Sequence, residues 1–346
     1  MGQSQNKQFG ISFINKQIVQ RGGHPMHKII IDCDTGTDDA IALVAALNSP
    51  DIDLRAITTV SGNVDLCYTA PNSLNLARML GFPVKVAKGA PQPILRDLHK
   101  IRLMDADEAG GLPTHGQTGM GDVVLPECGE PFYEKNAVET IWEEAQACGG
   151  ELEIVAVGPL TNIAHALMVY PRLKEGLIKK ISFMGGAAYG GNTTAVAEFN
   201  ILCDPEAARI VLRSGIPLVM VGLDVTEKAA VPDEDCEIIR WMGTKDAVLV
   251  ADILDFMRMR RDEFGGEDTL MHDALALAAA VLPGVVSGHD YYVDVECAGE
   301  YTFGHTYVQK DHRLTNSAPN CWVAEEVDMK CFMDWLKGCL EQSKNR

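Results

Sequence analysis

One stretch near the start of the chain constrains the fold more than any other: Lys28-Ile-Ile-Ile-Asp32-Cys33-Asp34-Thr35-Gly36-Thr37-Asp38-Asp39-Ala40-Ile41-Ala42-Leu43. Ile29 to Ile31 is a short β-branched run of the kind that fills a strand buried on both faces. Thr35-Gly36-Thr37 breaks it, and Asp38-Asp39 opens an apolar, Ala-rich helix expected to run to about Asn48. Strand, tight turn and buried helix in this order specify an α/β unit. Asp32, Asp34, Asp38 and Asp39 are thereby gathered at a strand's C-terminal end and a helix's N-terminus, where open α/β sheets place their ligands.

Helix-start preferences account for part of this cluster, because Asp caps helices and favours their first turn. They do not account for Asp32 and Asp34 at the end of an apolar strand. Carboxylates packed this closely repel unless shared protons or a cation neutralise them. An all-oxygen donor set suits a hard cation, Ca²⁺ or Mg²⁺.

The same rhythm recurs along the chain. Strands are expected at Leu54–Val60, Val84–Ala87, Leu152–Val157, Ile181–Met184 and Leu218–Leu223. They end in Gly, Asn or Asp, and helices are expected to follow at about Tyr68–Leu80, Asn136–Ala147, from Ile163, and from Asp204-Pro205. Strands alternating with helices read as one open, mostly parallel sheet flanked by helices, a Rossmann-like architecture. A helical pattern spans Pro232 to Met259, Met271-His272-Asp273 opens another apolar helix, and Met329–Leu340 reads as the last. Tyr291–Cys297 and Thr302–Gln309 alternate like a small antiparallel addition near the C-terminus. No linker interrupts the apolar pattern, so residues 28–346 are read as one domain, and the polar residues 1–27 as a poorly ordered extension. Residues 89–135 form a long Gly- and Pro-rich connection, and such connections are commonly functional or mobile.

A net charge of −18 opposes nucleic acid and anionic membrane surfaces as partners. No apolar run approaches a membrane span. Ten cysteines occur without a Cys-x-x-Cys pair. Cys33 and Cys203 lie in apolar, strand-like contexts, and buried free thiols fit a reducing cytoplasm.

Asp32-Cys-Asp34-Thr-Gly-Thr-Asp38-Asp39-Ala resembles the N-terminal signature of the nucleoside hydrolases, the inosine–uridine-preferring family, with Thr35 standing where that family usually has Pro. Three further blocks match in order: Ser61-Gly-Asn63, the segment from Asn192 through Glu198-Phe199-Asn200 to Asp204-Pro-Glu-Ala, and His272-Asp273. The resemblance covers roughly residues 28–340. It implies hydrolysis of the N-glycosidic bond of ribonucleosides to base and ribose, with one Ca²⁺ per subunit. The implied metal ligands are Asp34, Asp39, Asp273 and the backbone carbonyl of Val157. Asp34 doubles as the base that activates water. The implied ribose contacts are Asp38, Asn63, Met184, Asn192, Glu198 and Asn200, and His272 is the implied acid or orienting group for the departing base. A small-molecule nucleoside as partner and a homodimer or homotetramer follow from the same resemblance, as does a role in nucleoside salvage.

The base pocket is the least defined part. The resemblance points to His115, Arg260 and Phe264, where common members carry Tyr or Gln near the last two. An exposed loop position is the ordinary reading of His115. Phe264 offers stacking without a hydroxyl. Two rival readings remain. A haloacid-dehalogenase-type phosphatase also begins with a strand ending in Asp-x-Asp, but it wants Thr or Val where Gly36 stands and has no use for the Asn192–Asn200 block. A non-catalytic Ca²⁺- and ribose-binding protein would keep Asp38, Glu198 and Asn200 but has no need of Asp34 and His272 together.

Overall fold

The computed structural model describes residues 26–102, 114–263, 269–311, 313 and 317–343. Most of the N-terminal extension, residues 1–25, lies outside them, as does Phe264. Strand β1 (His27–Cys33) is an interior strand, third from one edge of a nine-stranded sheet. β2 (Ile52–Thr59) and β3 (Lys85–Lys88) extend the sheet to one side. β4 (Leu152–Ala156), β5 (Ile178–Met184) and β6 (Leu218–Val221) extend it to the other. The order β3-β2-β1-β4-β5-β6 is parallel throughout, so the chain reverses its direction of travel between β1 and β4. Crevices at such a switch point are the ligand sites of doubly wound sheets.

The β-branched run of β1 is explained by burial on both faces. Ile29 and Ile31 enter one core cluster and Ile30 the other, all without solvent exposure. Each such isoleucine contributes about 1.5–3 kcal/mol of burial free energy. Helix α1 (Thr37–Asn48) is buried along its whole length. It is enclosed by α2 (Leu66–Met79), α9 (Lys245–Glu263), α10 (His272–Val281) and α11 (Met329–Gln342). A helix covered on every side needs no polar face, which is why its sequence is Ala-rich and apolar all round. α1 and α10 are packed against each other, both mostly buried, and α10 also packs on β5 and β6.

The remaining elements on these layers are α3 (Ala137–Cys148), α4 (Thr161–Val169), α5 (Phe199–Cys203), α6 (Pro205–Leu212), α7 (Leu223–Thr226) and α8 (Asp233–Trp241). The Asp204 side chain caps α6, with Pro205 at its first position. Cys203 ends α5 rather than lying in a strand. The long helical pattern from Pro232 to Met259 is divided into α8 and α9, because Thr244 ends the run by accepting the Ala247 N–H on its side chain. β7 (Val286–Val295) and β8 (Thr306–Gln309) form the antiparallel addition. One strand had no place in the sequence reading. β9 (Cys321–Val327) inserts between β6 and β7, parallel to the first and antiparallel to the second. Its short apolar run gives way to Glu325 and Glu326, which meet Lys310 and Lys228 instead of entering the core. Among the described residues, no helix is long and apolar enough to cross a membrane, and all ten cysteines are free.

A buried knot of polar groups joins the C-terminal ends of the central strands. Asn162 Nδ2 donates to Asp32 Oδ1 at 2.8 Å and to the Thr59 carbonyl at 3.0 Å, while its Oδ1 accepts the Ala90 N–H at 2.7 Å. Thr58 Oγ1 also donates to Asp32. One side chain at the start of α4 therefore ties together β1, β2 and the loop after β3. Replacing Asn162 by Ala strands two buried backbone groups and removes a donor from Asp32. Asn162→Ala is expected to lower unfolding free energy by about 3 kcal/mol in urea titration. A loss below about 0.5 kcal/mol, the size of an ordinary surface substitution, would refute this role for the knot.

Candidate active site

At the end of β1 the chain turns through Asp34-Thr35-Gly36 into α1, and the carboxylates are fixed by what this turn offers. Asp39, in the first turn of α1, reaches back so that Oδ2 accepts the Gly36 N–H at 2.8 Å and Oδ1 accepts the Asp34 N–H at 3.2 Å. This is the carboxylate half of a capping box. Asn63, from the loop after β2, adds its Nδ2 to Asp39 Oδ2 at 3.0 Å. The Asn63 backbone N–H donates to Asp34 Oδ2 at 2.6 Å. Asp34 Oδ1 is buried and makes no hydrogen bond.

Glycines make room for Asp34. A Cβ on Gly62 would lie 1.9 Å from its Oδ2, and one on Gly158 would lie 2.6 Å from its Oδ1. The loops after β2 and β4 can close on this carboxylate only because both positions lack a side chain.

Asp273 arrives on the first turn of α10. Asp38, Asp39 and Asp273 each present an oxygen within 4.8 Å of the others, and all three residues are buried. This trio contains Asp38, where the resemblance implied Asp34 beside Asp39 and Asp273. Asp34 adjoins the trio through its backbone bond to Asp39. Burial pushes the Asp34 carboxyl up to about 7, with the Asn63 N–H pulling it down and the charge of Asp38 adding to the rise. Burial first, then the charges of Asp34 and Asp38, hold Asp39 well above the usual range, and burial with the neighbouring carboxylates does the same for Asp273. These residues fit a hard cation: the donors are oxygens, one buried oxygen lacks a partner, and the mutual repulsion needs a positive charge to relieve it.

The Val157 carbonyl, just past β4, accepts from Asn200 Nδ2 at 2.9 Å, and the same nitrogen lies 3.3 Å from the Met184 carbonyl. Three implied site residues from three elements therefore meet. Glu198 is buried and caps α5: Oε1 accepts from Asn200 N, and Oε2 from Ile201 N and Gly186 N, all at 2.8–3.0 Å. Asn192 is exposed, and its Oδ1 accepts from Phe199 N at 3.0 Å, which closes the loop that carries Glu198.

His115 is anchored, not an exposed loop residue. Its Nδ1 accepts from Thr37 N at 3.2 Å and lies 2.8 Å from Thr37 Oγ1. His272 is half-buried, with Nδ1 2.8 Å from Thr226 Oγ1 at the end of α7. Burial lowers its pKa below the usual histidine value, opposed by Asp38 and reinforced by His115. Arg260 is buried on α9 and pairs with Glu263 at 3.0 Å rather than pointing to solvent. The contact of Thr226 with His272 had no sequence signal, since the two residues lie far apart in the chain.

Residues 29–334 match the family model described as inosine-uridine preferring nucleoside hydrolase. The chain belongs to this family. The pyrimidine-specific ribonucleoside hydrolase RihA of Salmonella agona is 40% identical over 311 residues, covering 89% of this chain and 96% of that protein. RihA of Photobacterium profundum is 40% identical over 314 residues, with the same shares covered. The purine-preferring ribonucleoside hydrolase from Gardnerella vaginalis superposes with a TM-score of 0.80 at 35% identity, covering 91% of this chain and 99% of that one. The plant nucleoside hydrolase PpNRh1 gives a TM-score of 0.82 at 28% identity, covering 92% and 99%. This nucleoside hydrolase is therefore an enzyme, a ribonucleoside hydrolase, and the phosphatase and non-catalytic readings are set aside.

The raised carboxyl pKa values give a signed prediction. Without a cation the folded protein holds protons that the unfolded chain, with aspartate near 3.9, has released. The stability from these groups is full at low pH and is lost as pH rises through about 7, the Asp34 value. The glutamates held low, Glu143, Glu153 and Glu325 at about 2, change charge only in acid, and the single lowered group in this window, His272, opposes the trend of the several raised carboxyls only as pH approaches the ordinary histidine value. In chelator, melting temperature is expected to fall between pH 5 and pH 8. Added Ca²⁺ should raise it more at pH 8 than at pH 5. An equal increment at both pH values would contradict the coupling between protons and cation.

Proposed function

We propose that this hydrolase cleaves the N-glycosidic bond of ribonucleosides with Asp34 as general base, and that one Ca²⁺ is held by Asp34, Asp39, Asp273 and the Val157 carbonyl. The observation that carries this reading is the Asp34 carboxylate. One oxygen is fixed by the Asn63 N–H, and the other is buried and unpaired. A base needs such a free oxygen, aimed from a rigid frame. When bound, the cation neutralises the carboxylates and makes water easier to deprotonate.

Asp34 takes a proton from water, the water oxygen bonds to the anomeric carbon, and the C–N bond breaks with its electron pair leaving on the base. The ribose passes through an oxocarbenium-like state. Asp38, Asn63, Met184, Asn192, Glu198 and Asn200 hold the sugar in the shape that favours it. His272, oriented by Thr226, serves the departing base. Its lowered pKa leaves the ring mostly neutral at pH 7, and the protonated fraction is a stronger acid for that reason. His115, Arg260 and Phe264 border the base.

Two relatives 40% identical to this chain are named pyrimidine-specific, so uridine and cytidine head the substrate panel, followed by inosine, adenosine, guanosine and nicotinamide riboside. Residues 28–346 act as one catalytic domain, in the cytoplasm, as a homodimer or homotetramer serving nucleoside salvage.

Free ribose released by wild type and by Asp34→Asn tests the mechanism. The substitution keeps the side chain's shape and removes its basicity. The expected loss in kcat is at least about 100-fold with an unchanged circular dichroism spectrum, and activity near wild type would overturn the assignment. His272→Ala is expected to slow nucleoside hydrolysis about 100-fold while costing 4-nitrophenyl riboside much less, because that leaving group needs no proton. Equal losses on both substrates would make His272 structural.

A further inference from the structure

The geometry points to Arg102 as a positioning residue that holds the Gly62–Asn63 peptide, and through it the Asp34 carboxylate. The inference rests on the role proposed above for Asp34. Arg102 lies in the long connection between β3 and α3, and its three side-chain nitrogens all engage the loop after β2. Nε donates to the Gly62 carbonyl at 2.6 Å, Nη2 to Ser61 Oγ at 2.8 Å, and Nη1 to Asp65 Oδ1 at 2.6 Å. The side chain is only 19% exposed.

The Gly62 carbonyl and the Asn63 N–H belong to one planar peptide unit. Arg102 grips the oxygen of that unit, and its N–H donates to Asp34 Oδ2 at 2.6 Å. A rotation of the plane that breaks the first bond breaks the second. A cation on the carbonyl also polarises the peptide and strengthens its N–H as a donor, as in any chain of hydrogen bonds. The fit is tight, since a Cβ on Gly62 would come within 1.9 Å of the same Asp34 oxygen. The loop is also held by the Ser61 N–H, which donates to the Ala90 carbonyl at 3.1 Å, from the start of the same connection. Ala90 and Arg102, two points of the connection, thus both hold the β2 loop, and Arg102 grips the peptide beside Asp34. Lysine cannot reproduce this grip, because its single ammonium lacks the planar fork.

The test compares Arg102→Met, Arg102→Lys and Asp65→Asn in the full chain. It reads kcat and KM for ribose release, and Ca²⁺ affinity by calorimetry. Arg102→Met is expected to lower kcat about tenfold or more, by a larger factor than KM rises, and to weaken Ca²⁺ binding about tenfold, since both depend on where Asp34 points. Arg102→Lys should restore part of each. Asp65→Asn leaves the grip on Gly62 intact and should stay within about twofold of wild type, whereas a surface loop pin acting through the Asp65 ion pair would lose as much as Arg102→Met. Arg102→Met with kcat and Ca²⁺ affinity both within about twofold of wild type overturns the inference, and so does a lower melting temperature with kcat unchanged. Asp34→Asn run in parallel separates the two claims. If Asp34→Asn stays active, the proposed mechanism fails. If it is inactive while Arg102→Met behaves as wild type, only the role of Arg102 fails.

Discussion

The structure is built around a repulsion. Asp32, Asp34 and Asp39 are fully buried, Asp38 and Asp273 nearly so, and burial together with neighbouring carboxylate charge raises the pKa values of Asp34, Asp39 and Asp273. A fold does not collect like charges out of water without a compensating interaction. Part of the compensation comes from the fold itself: the N-terminal turns of α1 and α10 carry the acids where the helix dipole favours them. The Asn63 and Gly36 N–H groups take up one oxygen each. The rest is the positive charge that the oxygen donors and the unpaired Asp34 Oδ1 call for.

The architecture serves that arrangement. The switch between β1 and β4 opens the crevice, and two helices buried on nearly all sides bring their first turns to it. Asn162 locks the strand ends, so that the loops carrying Gly62 and Gly158 close on one carboxylate without a clash. Four chain segments far apart in sequence are thereby held to within hydrogen-bond distances. The rigidity matters because a base displaced by an ångström loses much of its advantage. The loop after β5 follows the same logic. Glu198 caps a five-residue helix, and this places the Asn200 amide between the Val157 and Met184 carbonyls.

How much of this could be read in the sequence depended on range. The β1–α1 unit was legible because its signals are local: a β-branched run, a turn and acids at a helix start. The parallel order followed from the repeated strand-to-helix rhythm. β9 escaped because four apolar residues trailing into two glutamates look like a loop edge until β6 and β7 are seen on either side. The single helical pattern after Pro232 hid a break, since a Thr cap in mid-pattern resembles a tolerated helix residue. Asn162, Thr226 and Arg102 could not be found at all. A hydrogen bond to a group dozens of residues away leaves no periodicity and no composition bias. His115 shows the converse: an ordinary loop histidine in sequence, it is pinned to the first turn of α1 by Thr37.

Protons and a cation are expected to compete for the same buried carboxylates, and one measurement addresses that directly. Calcium is titrated into chelator-treated protein at pH 7 by calorimetry, in two buffers of different ionisation enthalpy. The apparent binding enthalpy should differ between the buffers by an amount corresponding to protons released from the aspartates as the cation enters. Binding with the same enthalpy in both buffers, or no calcium binding by the folded protein, would contradict the account.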